Sequence, residues 1–469
     1  MPSTAAPPAA DPAPAGADAP EPPAGSLARL GLGTPALRAW AMYDWANSAI
    51  FTVIVTAVFP TYFARVAAAG LPGPAATARY SLATTAALLV AVALSPVIGA
   101  VVDARPIKKR TLGFCVGVGA LATAALGVTG EGAWVAALVA FGVVNVTVNA
   151  SSVVYDALLP HLARPQELDR ASSAGFAVGY LGGGLALALA LLAILKPAWF
   201  GLGALAARDP SAPTRVAFVG TAAWWALFTL PLMRRVPEPP TPNVGGAATG
   251  TGAVVREAFA GIRRTLAALR RMPHAWRFLV AFVLYNDAIN TIIRMAAVYG
   301  AELGLAQSSM IGAILLVQFL GIPFAFAFGW LADRVGAKRA ILGALTVYGV
   351  ITLVAFGLRT ERDFWMLAVL VATVQGGAQA LSRSLYASLV PASRSGEFFG
   401  LFSVFSRFGG VLGPFAMAAI TAATGSSRLG IAAVAVFFAA GGFLLAGVNV
   451  ADGRRQARAA DAADGAAAA

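Results

Sequence analysis

Two short patterns set carboxylates inside apolar stretches of this sequence. One reads Tyr43-Asp44-Trp45-Ala-Asn47-Ser48 and the other Tyr285-Asn286-Asp287-Ala-Ile-Asn290-Thr291. Each contains Asp-x-x-Asn followed by a hydroxyl residue, and helix positions three apart share a face. An ionisable group at the centre of a membrane helix costs about 2.5–3.5 kcal/mol on insertion scales, so each one needs a reason. Facing a central cavity, Asp44 with Asn47 and Asp287 with Asn290 could bind a substrate amine or take up a proton. The structural alternative is that the carboxylates cap broken helices or pair with neighbouring helices.

Further polar residues extend the set. Arg294 follows Asp287 two turns along the same face. A guanidinium there suits a carboxylate or phosphate, or else snorkels toward the interface. Gln375, Gln379 and Arg383 recur every four residues as a polar stripe, which offers two amides and a guanidinium to a zwitterion, or hydrogen bonds between helices. Asn145 and Asn149 form a similar pair. Asp156, near the end of its apolar run, and Arg407 are expected to lock a gate, and Glu397 belongs with them. Asp103 and Asp333 with Arg334 lie in loops and are expected to act when the molecule changes conformation.

Other chemistries lack their parts. Cys115 is the single cysteine, and His161 and His274 are the only histidines. A cysteine-based metal site is excluded, and a zinc or Ser–His–Asp site has few parts to work with. Gly182-Gly-Gly184 and Gly409-Gly410 lack the Lys-Ser/Thr of a nucleotide loop. No enzyme activity, cofactor or metal is expected.

The elements that must carry these residues are membrane helices. The chain of 469 residues is 58% hydrophobic and 12% charged, with a mean hydropathy of +0.75. A soluble chain carries roughly twice that charged share. Apolar runs long enough to cross a bilayer fall at 38–63, 79–101, 111–129, 132–158, 172–195, 214–233, 275–299, 309–332, 339–357, 364–390, 397–423 and 428–450. The Gly-rich stretch Gly175–Ala190 is a place for a break. The net charge of +13 lies in alternate loops, such as Arg105, Lys108, Lys109 and Arg110, then Arg334, Lys338 and Arg339. That positive-inside pattern predicts a multi-pass protein with both termini cytoplasmic, and it explains the basic pI better than nucleic-acid binding does.

Five regions follow: a disordered Pro/Ala-rich tail (1–28), a six-helix half (29–233), a cytoplasmic linker (234–273), a second six-helix half (274–452) and a disordered tail (453–469). The linker opens on a proline run and then places Val255, Phe259, Ile262, Leu266 and Leu269 among arginines, the pattern of a basic amphipathic helix on the membrane surface.

The halves repeat one another. Gly99-x-x-x-Asp103 and Gly329-x-x-x-Asp333 each precede a basic cluster. Tyr155-Asp-Ala-Leu-Leu-Pro160 answers Tyr386-Ala-Ser-Leu-Val-Pro391, and the two Asp-x-x-Asn motifs answer each other. Two parallel six-helix repeats, about twelve transmembrane helices in all, are the plan of a major facilitator.

Trp40-Ala-Met-Tyr-Asp-Trp-Ala-Asn-Ser-Ala-Ile50 with Phe59-Pro-Thr-Tyr-Phe63, Gly179-Tyr-Leu-Gly-Gly-Gly184, Gly377-Ala-Gln-Ala-Leu-Ser-Arg-Ser-Leu-Tyr386 and Phe398-Phe-Gly-Leu-Phe402 leading to Leu412-Gly-Pro414 resemble the major facilitator group typified by vacuolar amino-acid effluxers. The resemblance runs from about Arg38 to Asn449. It implies alternating access and export of small solutes, with amino acids the best-supported class. An Ala-, Gly- and Arg-rich, Lys-poor composition points to a bacterial inner membrane. A proton-coupled exporter acting as a monomer in the bilayer is therefore expected. An amphiphile or drug exporter, a lipid-handling protein, and a non-transporting receptor or scaffold are the alternatives.

Overall fold

The computed structural model describes residues 25–71, 73–239, 263, 265–302, 307–357, 360–408, 412–424 and 427–468, and among them there is no strand. The first long helix, α1 (Pro35–Ala67), starts where Thr34 accepts the Leu37 N–H at 3.1 Å, with Pro35 pre-set for the first turn. Its C-terminal part winds more widely over Ile50–Ala57 and Phe63–Ala67, flanking Pro60, whose missing N–H interrupts the α-helical ladder. The first half continues with α2 (Gly73–Ala104), α3 (Lys108–Ala125), α4 (Trp134–Leu162), α5 (Leu168–Leu195) and α6 (Ala212–Arg235).

The second half holds α7 (Pro273–Glu302), α8 (Gln307–Val335), α9 (Ala337–Phe356) and α10 (Glu361–Leu389). A capping box between Thr360 and Asp363 starts α10. Then come α11 (Ser395–Phe408), α12 (Leu412–Thr424), α13 (Ser427–Ala446) and α14 (Val450–Ala468). Nine helices among the described residues are long and apolar enough to cross a membrane: α1 to α6 and α8 to α10. The remaining three expected spans correspond to the polar-bearing α7, to α11 with α12, and to α13. The Gly-rich stretch of α5 carries no break.

Packing repeats the two-half plan. In the first half α1 packs on α6, α2 on α4, and α3 on both α4 and α6. In the second, α7 packs on α13, α8 on α10, and α9 on both α10 and α13. Across the halves α2 lies against α11, and α5 against α8. Backbones meet closely there: an added side chain at Gly99 would strike the Gly396 backbone, and one at Gly396 would strike Gly99.

Two expectations at the ends change. Residues 453–468, expected as a disordered tail, are helical as part of α14. Its sequence is rich in Ala and Arg, which favour helix, and it docks instead of fraying. The Asp461 carboxylate accepts the N–H groups of Ala392 (3.1 Å) and Ser393 (2.9 Å), the Ser393 hydroxyl donates to Asp464 at 2.8 Å, and Ala457 is buried. Within the first tail, Ser26–Arg29 is a short helix, and residues 1–24 lie outside the described residues. Most of the expected amphipathic linker helix also lies outside them. Its last part, 265–271, is helical, with Thr265 and Leu269 buried.

Candidate functional site

The end of the molecule that carries the α2–α3 and α8–α9 loops is called the basic-loop face below. Some two turns in from it, α10 presents Arg383, only 6% exposed. A guanidinium cannot shed its charge, so burial demands partners. Arg383 Nε donates to Ser172 Oγ at 2.9 Å, and Nη2 donates to the Ser172 carbonyl at 3.0 Å. Nη1 reaches Asp44 Oδ2 at 3.4 Å and Asp156 Oδ1 at 3.2 Å, so one cation of the second half bridges two carboxylates of the first.

Aromatic rings box this bridge. Trp40 stacks on Tyr155 with centroids 4.5 Å apart, and its indole N–H donates to the Tyr155 carbonyl at 3.1 Å. The guanidinium lies over Trp40 at 4.9 Å and Phe176 at 4.6 Å. The Tyr155 hydroxyl donates to Asp44 Oδ2 at 2.8 Å, fixing the oxygen that Arg383 also uses. Sequence neighbours explain the convergence: Tyr155 and Asp156 share a turn of α4, and Trp40 and Asp44 are one turn apart on α1. Gly175 of α5 makes room, because a Cβ there would lie 2.8 Å from Asp44 Oδ2 and 3.0 Å from Arg383 Nη2. Among the described residues, one buried cation of the second half thus faces two carboxylates of the first.

The second Asp-x-x-Asn motif builds a separate cluster. Asp287 is fully buried on α7 against Gly413 of α12, with Thr291 donating to the Asp287 carbonyl at 2.8 Å. Asn290 donates to the Asn286 carbonyl (2.8 Å), and Asn286 to the Ser406 carbonyl (3.2 Å). Asn47 is 5% exposed and points its amide nitrogen at Ser152 Oγ, 3.5 Å away. Gln375 lies half-buried beside Gly376, which packs on the Tyr180 ring of α5, and Gln379 lies half-buried one turn from Arg383. Asn145 and Asn149 turn back onto the Phe141 and Asn145 carbonyls of their own helix. The side chains of Arg294 and Arg407 lie outside the described residues.

Closer to the basic-loop face the halves are latched. The Asp103 carboxylate accepts the Glu397 N–H at 2.7 Å, at the start of α11, and pairs with Lys108 at 2.6 Å. Its counterpart Asp333 pairs with Arg170 at the start of α5. Ser384 donates to Asp169 at 2.5 Å, and Ser395 to the Ala157 carbonyl at 2.9 Å. Glu397 pairs with Arg394 at 2.5 Å and also receives the Thr265 hydroxyl of the linker.

Placement departs from expectation in two respects. Arg334 is exposed and lies 3.7 Å over the Trp330 ring one turn earlier on α8, so it turns away from the junction that Asp333 enters. Asp156, expected apart from Asp44 and Arg383, belongs to the same cluster. Sequence reasoning missed Arg170, Asp169, Ser172 and Tyr155. The signal available was the Asp-Arg pair opening α5 at the same place as the charged opening of α11.

A family model described as vacuole effluxer Atg22-like matches residues 71–458. The chain is 32% identical over 415 residues to YxiO of Bacillus subtilis, an MFS-type transporter described as uncharacterized, covering 87% of this chain and 93% of that one. It is 25% identical over 308 residues to autophagy-related protein 22-1 of Penicillium rubens, covering 61% of this chain and 50% of the fungal protein, about half its length. Among solved structures, the fold resembles the human organic anion transporter MFSD10 (TM-score 0.64, 15% identity, 91% of this chain and 100% of that one). It also resembles the fucose:proton symporter FucP of E. coli (TM-score 0.65, 14% identity, 88% and 98%).

Proposed function

Because the chain belongs to the vacuole effluxer Atg22-like family of MFS-type transporters, we propose that it exports amino acids by alternating access, with protons as the coupling ion. Transporters of this fold are not enzymes; they sit in the bilayer and bind a small solute. The observation that carries the reading is the buried Arg383 bridge to Asp44 and Asp156 across the halves.

Opening the basic-loop face must pull Arg383 away from the two carboxylates. Separating a buried ion pair and leaving its charges uncompensated costs about 3–5 kcal/mol. A zwitterion offsets this cost: its carboxylate meets the guanidinium and its ammonium meets Asp44, so both halves keep partners as they move apart. A solute lacking either charge leaves one group exposed. That difference ties opening to the correct cargo. Asp44 and Asp156 side chains are 15% and 22% exposed, open enough to exchange a proton, and neutralising one leaves a single pair that parts more easily. The charge asymmetry of the loops supports a cytoplasmic basic-loop face with both termini inside, in a bacterial plasma membrane, and the unit of function we propose is the monomer.

Counterflow in proteoliposomes, with labelled amino acids and an imposed pH gradient, tests the reading. Saturable exchange of an amino acid that the gradient enhances supports it. Silence across amino acids from folded protein removes it and shifts attention to amphiphiles.

A further inference from the structure

A cavity of about 870 Å³, lined by none of Arg383, Asp44 and Asp156, opens on the basic-loop face, within the usual size of small-molecule sites. Asp169 and Arg170 of α5 line one side, Asp333, Lys338 and Arg339 of the α8–α9 turn another, and Arg454 of α14 a third. Both carboxylates are engaged: Asp333 by Arg170, and Asp169 by the Ser384 hydroxyl. Lys338 donates to the Ala446 (2.7 Å) and Val448 (2.9 Å) carbonyls at the end of α13. Arg339 has no carboxylate partner among the described residues, and Arg454, whose charge also faces Asp169, donates from Nε toward Ser388 Oγ at 3.3 Å. The surplus is positive, in a concave place.

The local backbone adds to the imbalance. Gly336, at φ +86°, starts α9 without a side-chain cap. Lys338 and Arg339 therefore occupy the first turn, the end where the helix dipole disfavours cations. An anion in the cavity relieves that conflict. Guanidinium forks match phosphate oxygens in pairs.

We propose that this cavity binds a phosphate-bearing anion, either a phospholipid headgroup or a soluble phosphate ester, held chiefly by Arg339 and Arg454. The α14 helix is part of the site, because it supplies Arg454. The lining is drawn from both halves, so binding stabilises the protein with this face closed. This site is independent of the transported solute and needs no knowledge of it.

The test is thermal unfolding of the purified full-length protein, titrated with dihexanoyl phosphatidylglycerol, dihexanoyl phosphatidylcholine or glycerol 3-phosphate. The midpoint is expected to rise saturably with an anionic probe and not with phosphatidylcholine. In the Arg339→Gln/Arg454→Gln double variant the apparent affinity is expected to fall about tenfold or more. If the double variant does not fold, Arg339→Gln alone serves, since that side chain is exposed. A shift with both anions assigns a soluble phosphate ester; a shift with phosphatidylglycerol alone assigns a lipid headgroup. No saturable shift, an equal shift with phosphatidylcholine, or unchanged affinity in the variant overturns the proposal.

Discussion

Arg383 and Asp44 meet across the two halves at 3.4 Å, although 339 positions separate them in the chain. The contact joins the polar stripe of α10 to the motif of α1, and it makes the state of one half visible to the other. Its energetics follow from burial, because a guanidinium 6% exposed cannot lose its partners without cost.

Replacing Arg383 by Ala should therefore destabilise the protein by about 3–5 kcal/mol and abolish exchange, by leaving Asp44 and Asp156 facing each other without a cation. Arg383→Lys should fold better yet transport poorly, since an ammonium cannot reach Asp44, Asp156 and Ser172 together. Unfolding midpoints and counterflow rates of the two variants check this.

Tyr155→Phe removes one hydrogen bond to Asp44 and keeps the ring stacked on Trp40. A stability loss of about 0.5–1.5 kcal/mol is expected, with a folded protein whose exchange has an altered pH profile. An unchanged profile would mean that Asp44 does not need the hydroxyl.

Gly175→Leu should cripple transport, because even a Cβ at this position crowds Asp44 Oδ2 and Arg383 Nη2. Gly142→Leu, where an added Cβ meets open space, is the control and should leave exchange within about threefold of wild type. Counterflow on both variants decides whether crowding of the cluster is what matters.

Asp333→Asn should loosen the α5–α8 junction by removing the carboxylate that pairs with Arg170. Maleimide labelling of a Ser173→Cys reporter, buried beside Gly329, should then accelerate. Arg334→Ala should change that labelling less than about twofold, since Arg334 lies on Trp330 outside the junction.

Much of this was legible in the sequence because membrane helices announce themselves through apolar length, and repeats through motifs in the same order. Asp44, Asp156 and Arg383 could each be named as intramembrane charges that needed a reason. Their union could not, since which face of α1, α4 and α10 points inward is set by packing, with Gly175 and Ser172 of α5 completing the fit. Asp44 and Asp287 look equivalent as motifs, yet one joins the bridge between the halves and the other is buried against α12. The helix over residues 453–468 is hidden in the sequence for a similar reason. Its alanines and arginines carry no apolar span, and only the docking of Asp461 on the Ala392 and Ser393 N–H groups reveals why it is ordered.

The central claim is that the Asp44–Arg383–Asp156 bridge links solute movement to proton movement. It is tested most directly by measuring, in the same proteoliposomes, counterflow and pH-driven accumulation of an amino acid by wild type and by Asp44→Asn. The account predicts that pH-driven accumulation disappears in Asp44→Asn, while counterflow, which loses the carboxylate that meets the ammonium but keeps the Asp156–Arg383 pair, is weakened without being abolished. Accumulation that persists undiminished in Asp44→Asn would contradict it.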